Sequence, residues 1–437
     1  LYGFSMIQLT RKYHHKFDKD LRQQLVQLYR PFRRIPCFMH RHLEKLMVKF
    51  KKLPVVIELE EDAESFHTSK NDMDQLLKHE SRCKISHDYP EISCLSATLT
   101  PSSIEKLIYN HPNIKKVYHD RKVSAYLDVA SPTIRAQALH DQGLTGKNVN
   151  IAVVDTGVHP HTDLKQPTDR IVAFKDFVKN KTKPYDDNGH GTHCAGDAAG
   201  NGYASDGNYR GPAPEAGIIG VKVLDQTGSG SLSTVAAGIQ WCIEHKAEYQ
   251  IDIISLSLGA PADQSNCNDP LVKMVDKAWA NGIVVCVAAG NSGPDKRTIG
   301  TPGNSSTIIT VGAMDDQNTV DRSDDEIAPF SSRGPACGQT SKPDVVTPGV
   351  NIISLRSPSS YLDKTQKSNR VDNDYFSLSG TSMATPICAG ACALILESSP
   401  EDTPDQVKTK ILQAAVDQGL PKYVQGAGYL DVSKAIE

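Results

Sequence analysis

The 437-residue chain contains no Cys-x-x-Cys pair, which removes the commonest signature of a structural zinc site. Its ten cysteines lack the dense, regular spacing of a disulfide scaffold, so reduced and buried thiols are expected. No stretch approaches the ~20 apolar residues that a bilayer-spanning helix needs. The opening Leu1-Tyr2-Gly3-Phe4-Ser5-Met6-Ile7-Gln8-Leu9 is soon followed by Arg11, Lys12 and two histidines. It has neither the apolar region nor the cleavage box of a secretory signal, so the expected compartment is the cytoplasm. Internal repeats and low-complexity tracts are also absent.

What is present is a chain long enough for two or three domains, with one large core. Its formal charge of -3 hides an asymmetry. Residues 1–54 carry thirteen Lys/Arg against Asp18, Asp20 and Glu44, a net +10 facing -13 on the remainder. Such an arm attracts the rest of the chain or some other anionic partner. Three readings stay open: packing on the acidic remainder, which is preferred, contact with an anionic membrane or nucleic acid, or binding of an unknown partner. Few aromatics interleave the charges, so nucleic acid is not expected.

Residues 1–52 read as one or two basic helices, with Leu21, Leu25, Leu28 and Tyr29, then Leu43, Leu46, Met47 and Phe50, at helical spacing. Residues 53–126 read as a compact unit of order β-α-β-β-α-β, the split pattern of ferredoxin-like domains. Its strands are expected at Leu53–Leu59, Lys84–His87, Ile92–Leu99 and Ile114–Tyr118. A helix spans Asn71–Ser81 with Met73, Leu76 and Leu77 inward, and a second is opened by Thr100 as N-cap and Pro101. From residue 127 onward the pattern is α/β. Apolar runs at Val149–Val154, Ile218–Leu224, Ile251–Leu258, Ile283–Ala288 and Ile308–Val311 predict buried parallel strands. Helical stretches such as Ser233–His245, Pro270–Ala280 and Ser382–Glu397 separate them, which predicts a parallel sheet with helices on both faces.

Three short contexts carry chemistry: Val153-Val154-Asp155-Thr156-Gly157, His190-Gly191-Thr192-His193-Cys194-Ala195-Gly196, and Gly380-Thr381-Ser382-Met383-Ala384-Thr385-Pro386. A serine hydroxyl is a weak nucleophile until a base takes its proton and a third group orients that base. Ser382 is the expected nucleophile, His190 the base, and Asp155 the group that fixes and stabilises the imidazole. Asp155 ends a predicted strand at its carboxyl edge, and Ser382 opens a helix whose positive end faces a developing oxyanion. Asn291, in Ala288-Ala289-Gly290-Asn291-Ser292-Gly293, is the second expected oxyanion donor. Taken singly, each motif also reads as an ordinary turn or loop. Together and in this order they predict a serine endopeptidase working through an acyl-enzyme on Ser382. An inactive fold serving as a binding module and a non-peptide esterase are the rival readings.

Those motifs resemble the subtilases over about residues 145–437. The upstream segments extend the resemblance to the leaderless intracellular branch of that family. The triad order Asp, His, Ser is the one known from subtilisin, whose own oxyanion asparagine contributes roughly 3–4 kcal/mol to the transition state. The resemblance implies a subtilisin-like catalytic domain at 127–437, an inhibitory and folding-assisting prodomain at 53–126, and a basic extension at 1–52. It makes Gly228-Ser229-Gly230 and Ser257-Leu258-Gly259 the two edges that clamp substrate as an added strand. Ala288, Ala289, Gly290 and Gly300 become the walls and floor of an uncharged pocket, suited to a large apolar P1 residue. No organic cofactor is implied. Calcium is, with Asp163 as the matching carboxylate and Asn201, Asp206 and Asn208 as further oxygen donors. The loop Gly200–Gly211 does not reproduce the calcium loop of secreted members. Other departures are the arm, an acidic insertion at Asp321–Glu326, and a long loop at Ser354–Asp374 that either shapes the primed side or is a surface insertion. Expected partners are protein and peptide substrates and the prodomain itself. Self-cleavage is expected between Tyr126 and Leu127. Cys194, Cys388 and Cys392 read as buried small apolar groups, with thiol sensitivity at Cys194 the minority reading.

Overall fold

The computed structural model describes residues 4–436 apart from 30–31, 33–36, 61–62, 79, 81–82, 121, 126–132, 263–268, 318 and 320–321. It divides into two compact units, Leu1–Arg121 and Lys122–Glu437.

The first unit opens with helices α1 (Ser5–Lys12), α2 (Lys19–Gln27) and α3 (Cys37–Phe50). There follow β1 (Leu53–Leu59), α4 (Ala63–Leu77), β2 (Lys84–Tyr89), β3 (Cys94–Leu99), α5 (Pro101–Asn110) and β4 (Ile114–His119). The four strands pair antiparallel in the order β2-β3-β1-β4. Strand β3 thus lies between β1 and β2, which the chain visits in succession with a helix in between. Helix α5 starts where Thr100 Oγ1 accepts the Ser103 amide at 3.2 Å, with Pro101 in the first turn, and its stripe Ile104, Leu107 and Ile108 is buried.

One sequence expectation needs correction here. Helix α4 runs over Ala63–Leu77 rather than Asn71–Ser81, with Met73 and Leu77 buried but Leu76 exposed. The arm is not a separate layer. Met6, Leu9, Phe17, Leu21, Leu25 and Tyr29 share one apolar core with Val55, Ile57, Leu107 and Val117. Asp18 ties the two parts together, because its Oδ1 accepts the Leu21 amide at the start of α2 and the His119 amide at the end of β4, both at 3.0 Å. Apolar contact, not charge alone, therefore holds the arm. Helix α3 meets this core through Leu43 and Met47, while Leu46 and Phe50 face outward.

The second unit is built on a ten-stranded sheet. Along it lie Ala415–Val416, Tyr429–Leu430, Val345–Pro348, Ile309–Asp315, Val284–Ala288, Ile251–Leu256, Asn150–Asp155, Gly217–Lys222 and Ile171–Asp176. Glu326–Ile327 pairs with Ile309–Asp315 off this path. Seven ladders are parallel, and two short ones are antiparallel. The central strands are buried from end to end, as continuous apolar runs require. Ile171–Asp176 and Val345–Pro348 escaped the sequence reading because polar residues or prolines interrupt their apolar character. The long loop at 354–374 is structured. Ile352–Leu355, Arg370–Val371 and Tyr375–Leu378 form a small antiparallel sheet beside the helix Tyr361–Thr365.

Among the described residues one helix, Thr381–Ser398, is long and apolar enough to cross a membrane, and 89% of it is buried inside the protein. It is the central core helix of this unit. The cysteines also depart in part from the reduced expectation: Cys337 is disulfide-bonded, whereas Cys83, Cys94, Cys194, Cys242, Cys286, Cys388 and Cys392 are free.

Candidate active site

Asp155 is the last residue of its strand, at the carboxyl edge of the sheet, where open α/β folds place ligand sites. His190 is the first residue of the helix His190–Ala199. The two meet through Asp155 Oδ1 and His190 Nδ1 at 2.8 Å, both fully buried. Oδ1 also accepts the Thr156 amide at 2.6 Å, and Oδ2 is buried with no hydrogen-bond partner among the described residues. Burial alone would pull the imidazole pKa down. The Asp155 carboxylate outweighs it and holds His190 well above the ordinary histidine value.

A second carboxylate organises this corner. Asp186 Oδ1 accepts from Thr156 Oγ1 and from the Asn188 and Gly189 amides, and Oδ2 accepts from the Thr192 amide and hydroxyl, all between 2.7 and 3.0 Å. Thr156 Oγ1 in turn accepts the Gly191 amide at 2.8 Å. Asp186 thereby joins the turn after Asp155 to the first turn of the His190 helix. The sequence showed it only as one member of a turn.

Ser382 is the second residue of the helix Thr381–Ser398. Pro386, four residues on, has no N–H to give, so the Ser382 carbonyl lacks its usual helical donor. Ser257 Oγ fills that gap at 2.6 Å, with the Cys194 thiol at 3.5 Å. The Ser382 hydroxyl reaches back to the Ser257 carbonyl at 3.2 Å. Cys194 Sγ also lies 3.8 Å from His190 Nδ1, so the helix Thr381–Ser398 and the helix His190–Ala199 meet around it. Burial pushes the Cys194 thiol up to about 12, which keeps it a neutral packing group at neutral pH.

Asn291 follows the strand Val284–Ala288. Its Oδ1 accepts from the Thr381 amide at 3.0 Å and the Thr381 hydroxyl at 3.1 Å, and that hydroxyl accepts the Gly290 amide at 3.1 Å. With the oxygen so engaged, the Nδ2 group is oriented and has no partner among the described residues. It is therefore a donor available to a ligand beside the N-terminus of the Ser382 helix.

The two expected edges are brought together around a strand of the chain's own. Lys122–Ala125 pairs antiparallel with Ser229–Ser231 on one side and Leu258–Gly259 on the other. Ser124 lies opposite both Ser229 and Gly259, Val123 opposite Gly230, and Ala125 opposite Leu258. Gly228 sets the turn into the first edge with φ 77°. Gly300 is drawn beside Ala289 by a backbone hydrogen bond of 3.0 Å, and Ala260 pairs with Thr301. Ala288, Ala289, Gly290 and Gly300 are all buried. Tyr126 and Leu127 lie outside the described residues.

The residues around Asp163 do not fit calcium. Its Oδ1 accepts the Ala204 amide at 2.9 Å, and its Oδ2 accepts the Gly202 amide at 3.1 Å and the Tyr375 hydroxyl at 2.9 Å. Both oxygens of the carboxylate are thus turned to donors of the protein, whereas a calcium site turns its carboxylate oxygens to the ion. Asn201 is likewise engaged, its Nδ2 donating to the Gln166 carbonyl and its Oδ1 accepting the Tyr203 amide.

A sequence profile of the Subtilase family matches residues 146–429. The chain is 49% identical over 445 residues to "Serine protease AprX" of Bacillus subtilis (strain 168), covering 100% of this chain and 99% of that one. It is 34% identical over 360 residues to "Subtilisin E" of the same organism, covering 81% of this chain and 83% of the relative. Among solved structures, fervidolysin from Fervidobacterium pennivorans superposes with a TM-score of 0.70 at 22% identity, which speaks to the fold; the match covers 88% of this chain and 61% of that one. The chain belongs to the subtilase family and is a subtilisin-like serine protease.

Proposed function

We propose that the protein is a broad-specificity endopeptidase, made as a self-processing precursor, with Asp155, His190 and Ser382 as its triad and Asn291 as an oxyanion donor. Ser382 Oγ attacks the scissile carbonyl while His190 Nε2 takes its proton. The Asp155 carboxylate, 2.8 Å from Nδ1, stabilises the imidazolium that forms. Asn291 Nδ2 and the Ser382 amide receive the oxyanion. The imidazolium then delivers its proton to the leaving amine, and water repeats the sequence on the acyl-enzyme. The chemistry requires no organic cofactor.

The observation that carries this reading is the strand Lys122–Ala125 held between Ser229–Ser231 and Leu258–Gly259. Peptides that bind by adding a strand gain affinity from main-chain hydrogen bonds, and alternate side chains then reach pockets. A substrate docked in this register has the residue after the one facing Leu258 opposite Ser257, whose carbonyl accepts the Ser382 hydroxyl. In this chain the residue after Ala125 is Tyr126. The register therefore supports cleavage between Tyr126 and Leu127, and retention of the released N-terminal segment, which contains residues 53–126, as an inhibitor with its end in the cleft. The glycine and alanine lining of Ala288, Ala289, Gly290 and Gly300 favours large apolar P1 residues, because an unpaired charge buried there costs several kcal/mol, roughly.

N-terminal sequencing of the mature enzyme tests the processing site, with a start at Leu127 expected and a start outside 122–130 overturning it. The Ser382→Ala chain should stay full length and inactive. Matched peptide amides test the pocket: Phe at P1 should be cleaved far faster than Lys or Asp, and an equal rate for Lys would remove the assignment.

A further inference from the structure

Behind the nucleophile, three thiols that the chemistry does not use converge. Cys286 lies in the strand Val284–Ala288, and Cys388 and Cys392 lie one turn apart on the helix Thr381–Ser398. All three are fully buried. Their sulfurs lie within 4.8 Å of one another, and Cys286 Sγ is 3.9 Å from Cys392 Sγ. Among the described residues no fourth His, Cys, Asp or Glu joins the group. Cys286 and Cys392 share an S–H···S contact in which either sulfur can donate.

We propose that Cys286, Cys388 and Cys392 form a three-coordinate binding site for a soft monovalent metal ion of the Cu(I) class. Three sulfurs set at ~2.3 Å around a central ion, the usual metal–thiolate length, stand ~4.0 Å apart when the ion lies in their plane. The observed pair at 3.9 Å already has that spacing, and the third sulfur, within 4.8 Å of the other two, closes by less than ~1 Å. Zinc takes four ligands in a structural site, and this group offers three. Calcium and magnesium require oxygen. Thiolate sulfur selects Cu(I). The ion enters already as Cu(I), so no electron is transferred. It exchanges carrier ligands for three Cu–S bonds, and each sulfur that binds as a thiolate releases its proton to solvent before the fold closes over the site. Because the sulfurs are sealed from solvent, loading accompanies folding. The bound ion then ties the strand leading to Asn291 to the helix that presents Ser382.

The test uses the full-length Ser382→Ala chain, which does not digest itself, produced in copper-supplemented cells and then challenged anaerobically with excess bicinchoninate. One copper per chain should be retained, with three sulfur neighbours by X-ray absorption and a higher Tm than the copper-free chain. The combined Cys286→Ala, Cys388→Ala, Cys392→Ala variant should lose the copper and the Tm rise, while Cys194→Ala keeps both. No retained copper, nitrogen or oxygen ligation, retention in the triple variant, or loss through Cys194→Ala would each overturn the proposal. If the triple variant does not fold, the sulfur count in the parent chain decides.

Discussion

At the scale of single residues, the site works by leaving polar atoms no alternative partner. Asp155 directs Oδ1 at the imidazole and leaves Oδ2 uncompensated, so the protonated form of His190 is favoured. A base must be neutral to act. Because its folded pKa is raised, activity should fall as pH drops through a limb lying above the ordinary histidine value of about 6.5. Asp155→Asn removes the attraction that retains the proton. It should move the limb to lower pH while lowering kcat by about 10⁴, the loss known for this exchange in another serine protease; kcat/KM profiles across pH read both. Ser257→Ala is a quieter case. It strips the Ser382 carbonyl of its 2.6 Å donor and leaves only the weak Cys194 S–H. A buried acceptor losing its partner costs about 1–3 kcal/mol. The expected result is a drop in kcat of one to two orders of magnitude, roughly, with KM little changed, and steady-state kinetics on a peptide amide check it.

At the scale of elements, the cleft depends on backbone edges that cannot tolerate added atoms. A Cβ on Gly230 would lie 2.7 Å from the Val223 carbonyl oxygen and 2.8 Å from Leu224 Cδ2. Gly230→Ala should therefore push the edge Ser229–Ser231 out of register with a bound strand. KM should rise roughly tenfold, about the worth of one or two backbone hydrogen bonds, while the pH limb set by Asp155 and His190 stays in place. A variant with normal KM would show that this edge does not bind substrate. The nucleophile helix obeys a related rule. Pro386 sits in its interior yet costs no unpaired carbonyl, since Ser257 and Cys194 supply the missing donors. Helix and strand are joined where the chemistry needs them fixed.

At the scale of the whole molecule, the arm 1–52 and the segment 53–121 fold as one body because neither closes the shared core alone. Removing Met6, Leu9, Phe17, Leu21 and Leu25 strips several fully buried side chains, each worth about 2–5 kcal/mol. Their sum exceeds the stability of a small domain, about 5–15 kcal/mol. Residues 53–121 alone should show no cooperative thermal transition by circular dichroism, whereas residues 1–121 should. A stable 53–121 fragment would return the arm to the status of an appendage.

The sequence by itself determined the family and the larger part of the architecture. The three motif contexts, the buried strand runs and the Thr100-Pro101 helix start are local patterns, and local patterns survive in one dimension. Most helix and strand ends followed to within a few residues; α4 missed because its apolar stripe is sparse and Leu76 faces outward. Asp163 shows where such reading stops. Its position matched a calcium ligand, but the donors that occupy it are the amides of Gly202 and Ala204 and the hydroxyl of Tyr375, far along the chain. The same holds for Asp186 gathering two motifs, Thr381 turning the Asn291 amide, and Cys286 meeting Cys388 and Cys392. These are pairings between segments distant in sequence. Only the tertiary structure decides them, because a hydrogen bond or a shared coordination site depends on positions a few ångströms apart, and separation along the chain does not encode that distance.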